Sequence, residues 1–369
     1  MRALFFLNAF AGGGAERVCL NLAGQLHGMG IESDFITIYD AKNDYDIPNY
    51  IYEFSLGVNA DAALTETLRC ILHRRNAMNR FISGKEYLLI TAHLQPSGFA
   101  AFLTTVGKKC LYVMHTSQHL EKRYDSCRLY RAGIKLFLRR KKIVTVSKGL
   151  REELLCECKV LPENVTVIYN PGTVPVVHDM TKQISPHKEP YILFMGRLEE
   201  AKDPLMALEL YYRGKFYDKY DLVYLGQGSL EDKLRKRIAE YHLEDRVYLA
   251  GFQKSFERWI RHAELLLSCS RREGMPMNLI EALLCGTPIV AADCPYGVNE
   301  ILTDEMERYL IHPEKNLEKS IAVISSALTS YPKITEKYYK KFDDVLITRK
   351  YLNVWADVFG QKDGSIFHK

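Results

Sequence analysis

The sequence predicts an α/β protein built as two doubly wound parallel-sheet domains. Three observations carry this. Short apolar runs of strand length repeatedly lead into a glycine turn and then a helix, as at Arg2–Asn8 before Gly12, Gly13 and Gly14, and at Tyr191–Met195 before Gly196. Several of these runs, such as PIVAA at 288–292, are apolar throughout, which suits strands covered on both faces. Between the two arrays lie residues 171–189, PGTVPVVHDMTKQISPHKE, with prolines at 171, 175 and 186 and little periodicity, a linker by composition. A length of 369 residues also suggests two domains.

The first domain, 1–170, opens with the strand Arg2–Asn8 and a helix over Ala15–His27. Gly12 and Gly14 begin a G-x-G, but Arg17 stands where the third glycine of a dinucleotide fingerprint belongs. Asp34 and Asp40 are the candidates for the acid that would close such a site, and a turn without any ligand fits as well. YLLITAHL, KCLYVMHT and KKIVTVSK supply further strands. The second domain, 190–340, contains YILFMGRLEEAKDPLMALEL, then DLVYLGQGSLEDKLRKRIAEYHLEDRVYLAGF. Gly226, Gln227 and Gly228 make a tight strand-to-helix turn that lets backbone approach a ligand. A last helical stretch, near Tyr338–Phe359, belongs to a segment 341–369.

Ser270–Asp293, SRREGMPMNLIEALLCGTPIVAAD, is the most informative stretch. Gly274 and Pro276 hold off a helix until Met277, and Gly286 and Pro288 end it. The amides of Met277, Asn278 and Leu279 then point out of a helix start, an arrangement that attracts anions. Glu273 and Glu281 flank that start, eight residues apart. At about 1.5 Å per helical residue they span on the order of 12 Å, too far for a glycosidase pair at roughly 5–9.5 Å. The spacing suits the two ends of a long ligand. Alone, the same pair fits a surface loop and an exposed helix face. Arg197 and Lys202 follow a strand end, where doubly wound sheets bind ligands. A unit charge about 4 Å from a leaving diphosphate contributes about 4 kcal/mol at a dielectric near 20. A solvated cap with a Glu200–Lys202 pair is the plainer alternative.

Composition fits a soluble enzyme, with 47% hydrophobic residues and no apolar window long enough to span a membrane. Nine scattered cysteines, with Cys156 and Cys158 too close for a disulfide, imply free thiols in a reducing cytoplasm. Charge is uneven: residues 1–170 hold 22 basic and 16 acidic side chains, although the whole chain is only +5. Arg128, Arg131, Lys135, Arg139 and Lys142 recur at helical spacing within 122–142, a face suited to anionic lipid or simply to water. No nucleic-acid module is visible.

GRLEEAKD, LGQGSLEDKL, VYLAGF and EGMPMNLIEALLCGTPIVAADCPYGVNEIL occur in the order and spacing of retaining glycosyltransferases of family 4, and Glu273 and Glu281 match their E-x7-E pattern. FLNAFAGGGAERVCLNLAGQL, MHTS, VTVSKGL and IYNPG extend the resemblance to the first half. It implies the GT-B fold, two Rossmann-like domains facing a cleft, with the last helix returning to the first domain. Bacterial members that build surface polysaccharide, lipopolysaccharide or O-antigen are the most similar. The resemblance assigns roles by position. Glu273 and the amides of Met277, Asn278 and Leu279 would hold the donor sugar, and Glu281 the ribose. Gly196, Arg197 and Lys202 would bind the diphosphate, with Gly13 and Gly14 approaching it by backbone. His115 would lie near the reactive carbon, and Gly251 and Phe252 beside the base. Met275 and Met277 give the sugar-facing edge an apolar character.

The implied reaction moves a hexose or N-acetylhexosamine from a UDP-sugar to a lipid-linked or membrane-held glycan. It retains configuration and needs no metal or other cofactor. The implied place is the cytoplasm, with peripheral contact at the inner membrane face. A sugar-nucleotide epimerase and a non-catalytic glycan-assembly subunit share the fold and stand as alternatives.

Overall fold

The computed structural model describes residues 1–11, 13–41, 45–59, 68–93, 95–117, 122–172 and 184–360. Gly12, most of the linker stretch 171–189 and residues 361–369 of the C-terminal segment lie outside the described residues. The chain divides into two compact units, Met1–Pro171 with the segment from Asp343 onward, and Gly172–Phe342.

The first unit holds strands β1 (Arg2–Leu7), β2 (Glu32–Tyr39), β3 (Ile51–Val58), β4 (Tyr87–His93), β5 (Leu111–Met114), β6 (Lys142–Thr145) and β7 (Val165–Val167). Between them run helices α1 (Gly14–Gly28), α2 (Leu68–Ile82), α3 (Gln95–Leu103), α4 (Lys122–Ser126), α5 (Arg128–Leu138) and α6 (Lys148–Glu157). The strands pair in parallel in the order β3-β2-β1-β4-β5-β6-β7. The order reverses direction between β1 and β4, the switch point where ligands bind in such sheets. Ala3–Leu7 of β1 are fully buried. Each large apolar side chain there contributes roughly 1.5–3 kcal/mol, whereas strand propensities span only about 1 kcal/mol, so burial decides this strand.

Asp34 has a structural use. Its buried carboxylate accepts from Arg2 (2.6 Å), Lys85 (2.9 Å) and Tyr87 (2.6 Å). Burial alone would raise its pKa, but these hydrogen bonds outweigh that and hold it below the usual carboxylate range. It is therefore not available as a ribose ligand.

The second unit holds β8 (Tyr191–Met195), β9 (Asp221–Leu225), β10 (Val247–Gly251), β11 (Leu265–Ser268), β12 (Ile289–Ala292) and β13 (Leu310–Ile311). Its helices are α7 (Pro204–Arg213), α8 (Glu231–Glu240), α9 (Glu257–Arg261), α10 (Met277–Cys285), α11 (Val298–Ile301), α12 (Leu317–Thr329) and α13 (Glu336–Tyr339). All strand pairs are parallel, in the order β10-β9-β8-β11-β12-β13, with the switch point between β8 and β11. Ile192, Phe194, Leu222, Tyr224, Leu265 and Leu267 anchor its core beneath α7 and α8.

Two sequence expectations need correction. The stretch 338–359 is not one helix: Glu336–Tyr339 is followed by a 3-10 turn and then by α14 (Asp344–Phe359). Asp343 caps the new helix by accepting from the Leu346 amide (2.7 Å), while the Phe342 carbonyl is taken by the Gly172 N–H (2.7 Å). The α14 helix packs in the first unit, where Gln25 donates to Asp344 (2.8 Å) and the Trp355 indole to the Lys109 carbonyl (2.8 Å). Nor do the basic residues of 122–142 share one helical face. Arg139 caps α5, Lys142 lies in β6, and Arg131 is turned back onto the carbonyls of Tyr124 (3.0 Å) and Asp125 (2.6 Å).

Candidate functional site

In the second unit the loops after β8 and β11 meet at the switch point. Lys202 comes from the first loop and Glu273 from the second, and their side chains form an ion pair at 2.5 Å. Neighbouring contacts stitch the loops together. Arg271 N–H donates to the Ala201 carbonyl (2.9 Å), and the Arg271 side chain to Asp203 (2.8 Å). Asp203 in turn caps α7 by accepting from the Met206 amide (3.2 Å), in a left-handed conformation at φ 46°. Left-handed backbone at a non-glycine residue costs of order 1–3 kcal/mol and persists only where its surroundings enforce it. Neither the Asp203 cap nor its partner Arg271 was singled out in the sequence.

Helix α10 begins against the tip of β8. The Asn278 side chain donates to the Met195 carbonyl (2.8 Å), and its oxygen accepts from the Leu279 amide (3.0 Å). That corrects the sequence reading: Leu279 N–H is already satisfied, and Asn278 acts through its side chain as a clip. The amides of Met277 and Asn278 precede the first helical bond, from Ile280 N–H to the Pro276 carbonyl (3.5 Å), as helix starts require. Glu281, one turn inside, is fully buried, and Glu273 is nearly so. Met275 and Met277 are buried too. Cys294, unnoticed in the sequence, feels the charges of both Glu273 and Lys202, and burial pushes its thiol up to about 12.

Three glycines of the second unit, Gly226, Gly228 and Gly297, pack directly against backbone. A Cβ on Gly226 would stand 2.0 Å from the Gly196 carbonyl oxygen, and one on Gly228 2.5 Å from that of Leu198. These glycines let the β9 loop pack on the β8 loop, and Leu198 N–H donates to the Gln227 carbonyl (2.9 Å). Gly297, at φ 77°, likewise packs on the Gly274 carbonyl oxygen, which a Cβ at this position would meet at 2.5 Å, so the CPYG segment braces the Glu273 loop. Gly251 turns at φ 68°, and Phe252 beside it is part exposed. Arg197 stands apart from the pair: its guanidinium is two-thirds exposed and faces Glu199 at 3.3 Å.

In the first unit, His115 follows β5 and His93 ends β4. His93 Nδ1 and His115 Nε2 are 2.8 Å apart, so one ring donates and the other accepts, and His93 Nε2 is 3.0 Å from Thr91 Oγ1. Burial lowers the pKa of both, His115 to about 3, and keeps the rings neutral. Ser97 on α3 donates to the His93 carbonyl, and its amide to the Asn8 side chain (3.1 Å), which ties the β1 and β4 tips together. His93 was missed in the sequence, although a histidine closing an apolar strand just as His115 follows one was a usable signal. Gly13 precedes α1 in extended form, and Gly14 is its first residue. The Glu16 carboxylate occupies the space a Gly13 side chain would need, 2.2 Å from its Cβ position.

The chain matches two family models: Glycosyltransferase Family 4 over residues 12–171 and Glycosyl transferases group 1 over residues 178–343. It belongs to the glycosyltransferases built from these two domains. One similar protein is the N-acetylgalactosamine-N,N'-diacetylbacillosaminyl-diphospho-undecaprenol 4-alpha-N-acetylgalactosaminyltransferase of Campylobacter jejuni, 30% identical over 57% of this chain and 59% of that one. Another is the lipopolysaccharide 1,6-galactosyltransferase of Salmonella typhimurium, 24% identical over 57% of this chain and 60% of that one. This glycosyltransferase thus matches about three fifths of the length of each. Among solved structures, Anabaena HepE bound to UDP-glucose aligns with a TM-score of 0.70 at 16% identity, covering 97% of this chain and 100% of that one. That likeness speaks to fold, and the fold of both units is of the GT-B type. Among the described residues, no helix of the glycosyltransferase is long and apolar enough to cross a membrane.

Proposed function

We propose that the protein is a retaining hexosyltransferase that moves a hexose or N-acetylhexosamine from a UDP-sugar to a lipid-linked glycan of the cell surface. The observation that carries this is the Lys202–Glu273 pair at the β8/β11 switch point, beside the open amides of α10. An ammonium has three donors. Lys202 is therefore able to keep Glu273 and still meet a diphosphate oxygen, while Glu273 takes hydroxyls of the donor sugar. The Met277 and Asn278 amides add partial positive charge. Glu281 takes the ribose hydroxyls, Gly251 and Phe252 border the base, and Arg197 folds in from its exposed position onto the diphosphate. Gly13, Gly14 and His115 keep the roles that the resemblance gives them.

In this reading the C–O bond between anomeric carbon and diphosphate breaks as the acceptor oxygen bonds to the same face. The acceptor proton passes to a phosphate oxygen, and UDP leaves with the electron pair. Lys202 and the helix amides stabilise the growing negative charge, so no metal is called for. The relatives' names support the acceptor, since one acts on a diphospho-undecaprenol glycan and another on lipopolysaccharide. The UDP-glucose complex of HepE supports the donor.

The test is incubation with UDP-GalNAc, UDP-GlcNAc, UDP-galactose and UDP-glucose, in chelator, with and without an undecaprenyl-diphosphate-linked saccharide. UDP release that needs acceptor, with an α-linked product, is expected. A β-linked product rules out retention, and a need for added metal rules out metal independence. Donor isomerised without acceptor means an epimerase. UDP binding without any turnover means a non-catalytic assembly subunit.

A further inference from the structure

Residues 68–142 hold 16 basic and 3 acidic side chains in a chain whose net charge is only +5. Much of this excess surrounds exposed apolar side chains on three neighbouring helices of the first unit. On α3, Phe99, Phe102 (49% exposed) and Leu103 face outward. On α5, Phe137 packs against Phe99 (4.6 Å between centroids) and Phe102 (5.6 Å), and Leu136 beside it is 73% exposed. On α2, Leu72 is exposed between Arg69 and Arg75, and Arg75 donates to the Leu103 carbonyl (3.0 Å), which joins α2 to the end of α3. Lys141 lies over the rings of Phe102 (3.8 Å), Phe137 (4.9 Å) and Tyr112 (5.3 Å). Arg139 and Arg140 precede it and are exposed.

We propose that this α2–α3–α5 ridge is the docking surface for an anionic lipid bilayer, with the phenylalanine and leucine side chains entering the headgroup layer and the surrounding arginines and lysines meeting lipid phosphates. Its centre is α3, which differs from the basic helix read from the sequence. Three features favour a bilayer over nucleic acid. The exposed groups include leucines, which do not stack on bases as aromatics do. They are spread over three helices, a breadth that suits a surface more than a single strand. The basic side chains surround apolar ones, the pattern of interfacial helices, whose long cations reach for the headgroups. Single exposed hydrophobics are ordinary, but a contiguous set rimmed by polar residues marks an interaction surface.

The position suits a lipid-borne acceptor, a point that rests on the proposed function. Ser97, which binds His93 and Asn8, lies on the same helix as Phe102. Five residues at about 1.5 Å put roughly 7.5 Å of helix between them. A docked α3 therefore brings the β1/β4 switch point close to the membrane surface.

Flotation of the full chain with phosphatidylcholine vesicles, with or without phosphatidylglycerol, tests the docking without calling on transfer. The protein should float only with phosphatidylglycerol and partly detach in high salt. Each basic residue near an anionic surface is worth about fivefold in partition, so the pair Arg139→Glu and Arg140→Glu should lower it by about thirtyfold or more. The pair Phe102→Ser and Leu136→Ser should weaken binding at all salt concentrations. UDP affinity, unchanged in both, serves as the fold control. Equal flotation with both vesicle types overturns the proposal. So does wild-type binding by the Phe102→Ser/Leu136→Ser protein, or displacement of vesicles by single-stranded RNA. Vesicle binding without any sugar transfer would sink the proposed function and leave this surface standing.

Discussion

His93 is buried without charge, and nothing in a strand pattern announces that. Its ring fixes the Nε2 face of His115, so it is a positioning residue in the proposed reaction. His93→Phe should lower kcat by roughly tenfold to a hundredfold, the scale of a misplaced reacting group, while KM for the donor stays nearly constant. A proportional rise in KM alone would contradict this. The same pair sets a pH dependence. Both histidines have folded pKa values below 6.5, so the unfolded chain binds more protons as pH falls. Stability is fully present above about pH 6.5 and declines as pH falls toward about 3, at about 1.4 kcal/mol per unit for each ring. Thermal melts of the wild type at pH 7.5 and 5.5 should show this drop, and His93→Phe should show about half of it. Equal drops in the two proteins would remove the pair as its source.

At the scale of elements, the tips of β8 and β9 are closed by glycine. Gly226 sits at φ 138° with the Gly196 carbonyl where a side chain would go. Gly226→Ala should cost roughly 3 kcal/mol, read as a lower urea midpoint at unchanged slope. Wild-type stability would show that the loops are not packed as described. In the sequence these glycines looked like room for a ligand. A glycine pattern reports close approach but not what approaches, and here the visitor is the protein's own backbone. The α10 boundaries were legible, because Pro276 and Gly286 act locally. The Asn278 clip was not, since its partner is the Met195 carbonyl 83 positions away. The break at Asp343 was missed for a similar reason: Phe342 gives its carbonyl to Gly172, across the length of the second unit.

For the whole molecule, two parallel sheets with the same winding follow from repeated strand–glycine–helix units, and that much was readable from one chain. The return of the last helix to the first unit was legible only through the family resemblance and not from the residue pattern, because the α14 face is matched to residues more than 200 positions earlier, as in the Trp355–Lys109 bond. Trp355→Ala should cost about 3–5 kcal/mol, and the loss should appear as lowered hydrogen-exchange protection in β4 and α1 but not in β8 or β9. Loss confined to the second unit would contradict that assignment. The function proposed for the protein turns on whether Lys202, held by Glu273, grips the pyrophosphate of the donor. Calorimetric titration of UDP into the wild type, Lys202→Ala and the exposed-site control Glu200→Ala is the direct measurement. Lys202→Ala should raise Kd by about tenfold or more, about 1.4 kcal/mol, with the control unchanged. Equal UDP affinity in all three proteins would mean that the nucleotide binds elsewhere.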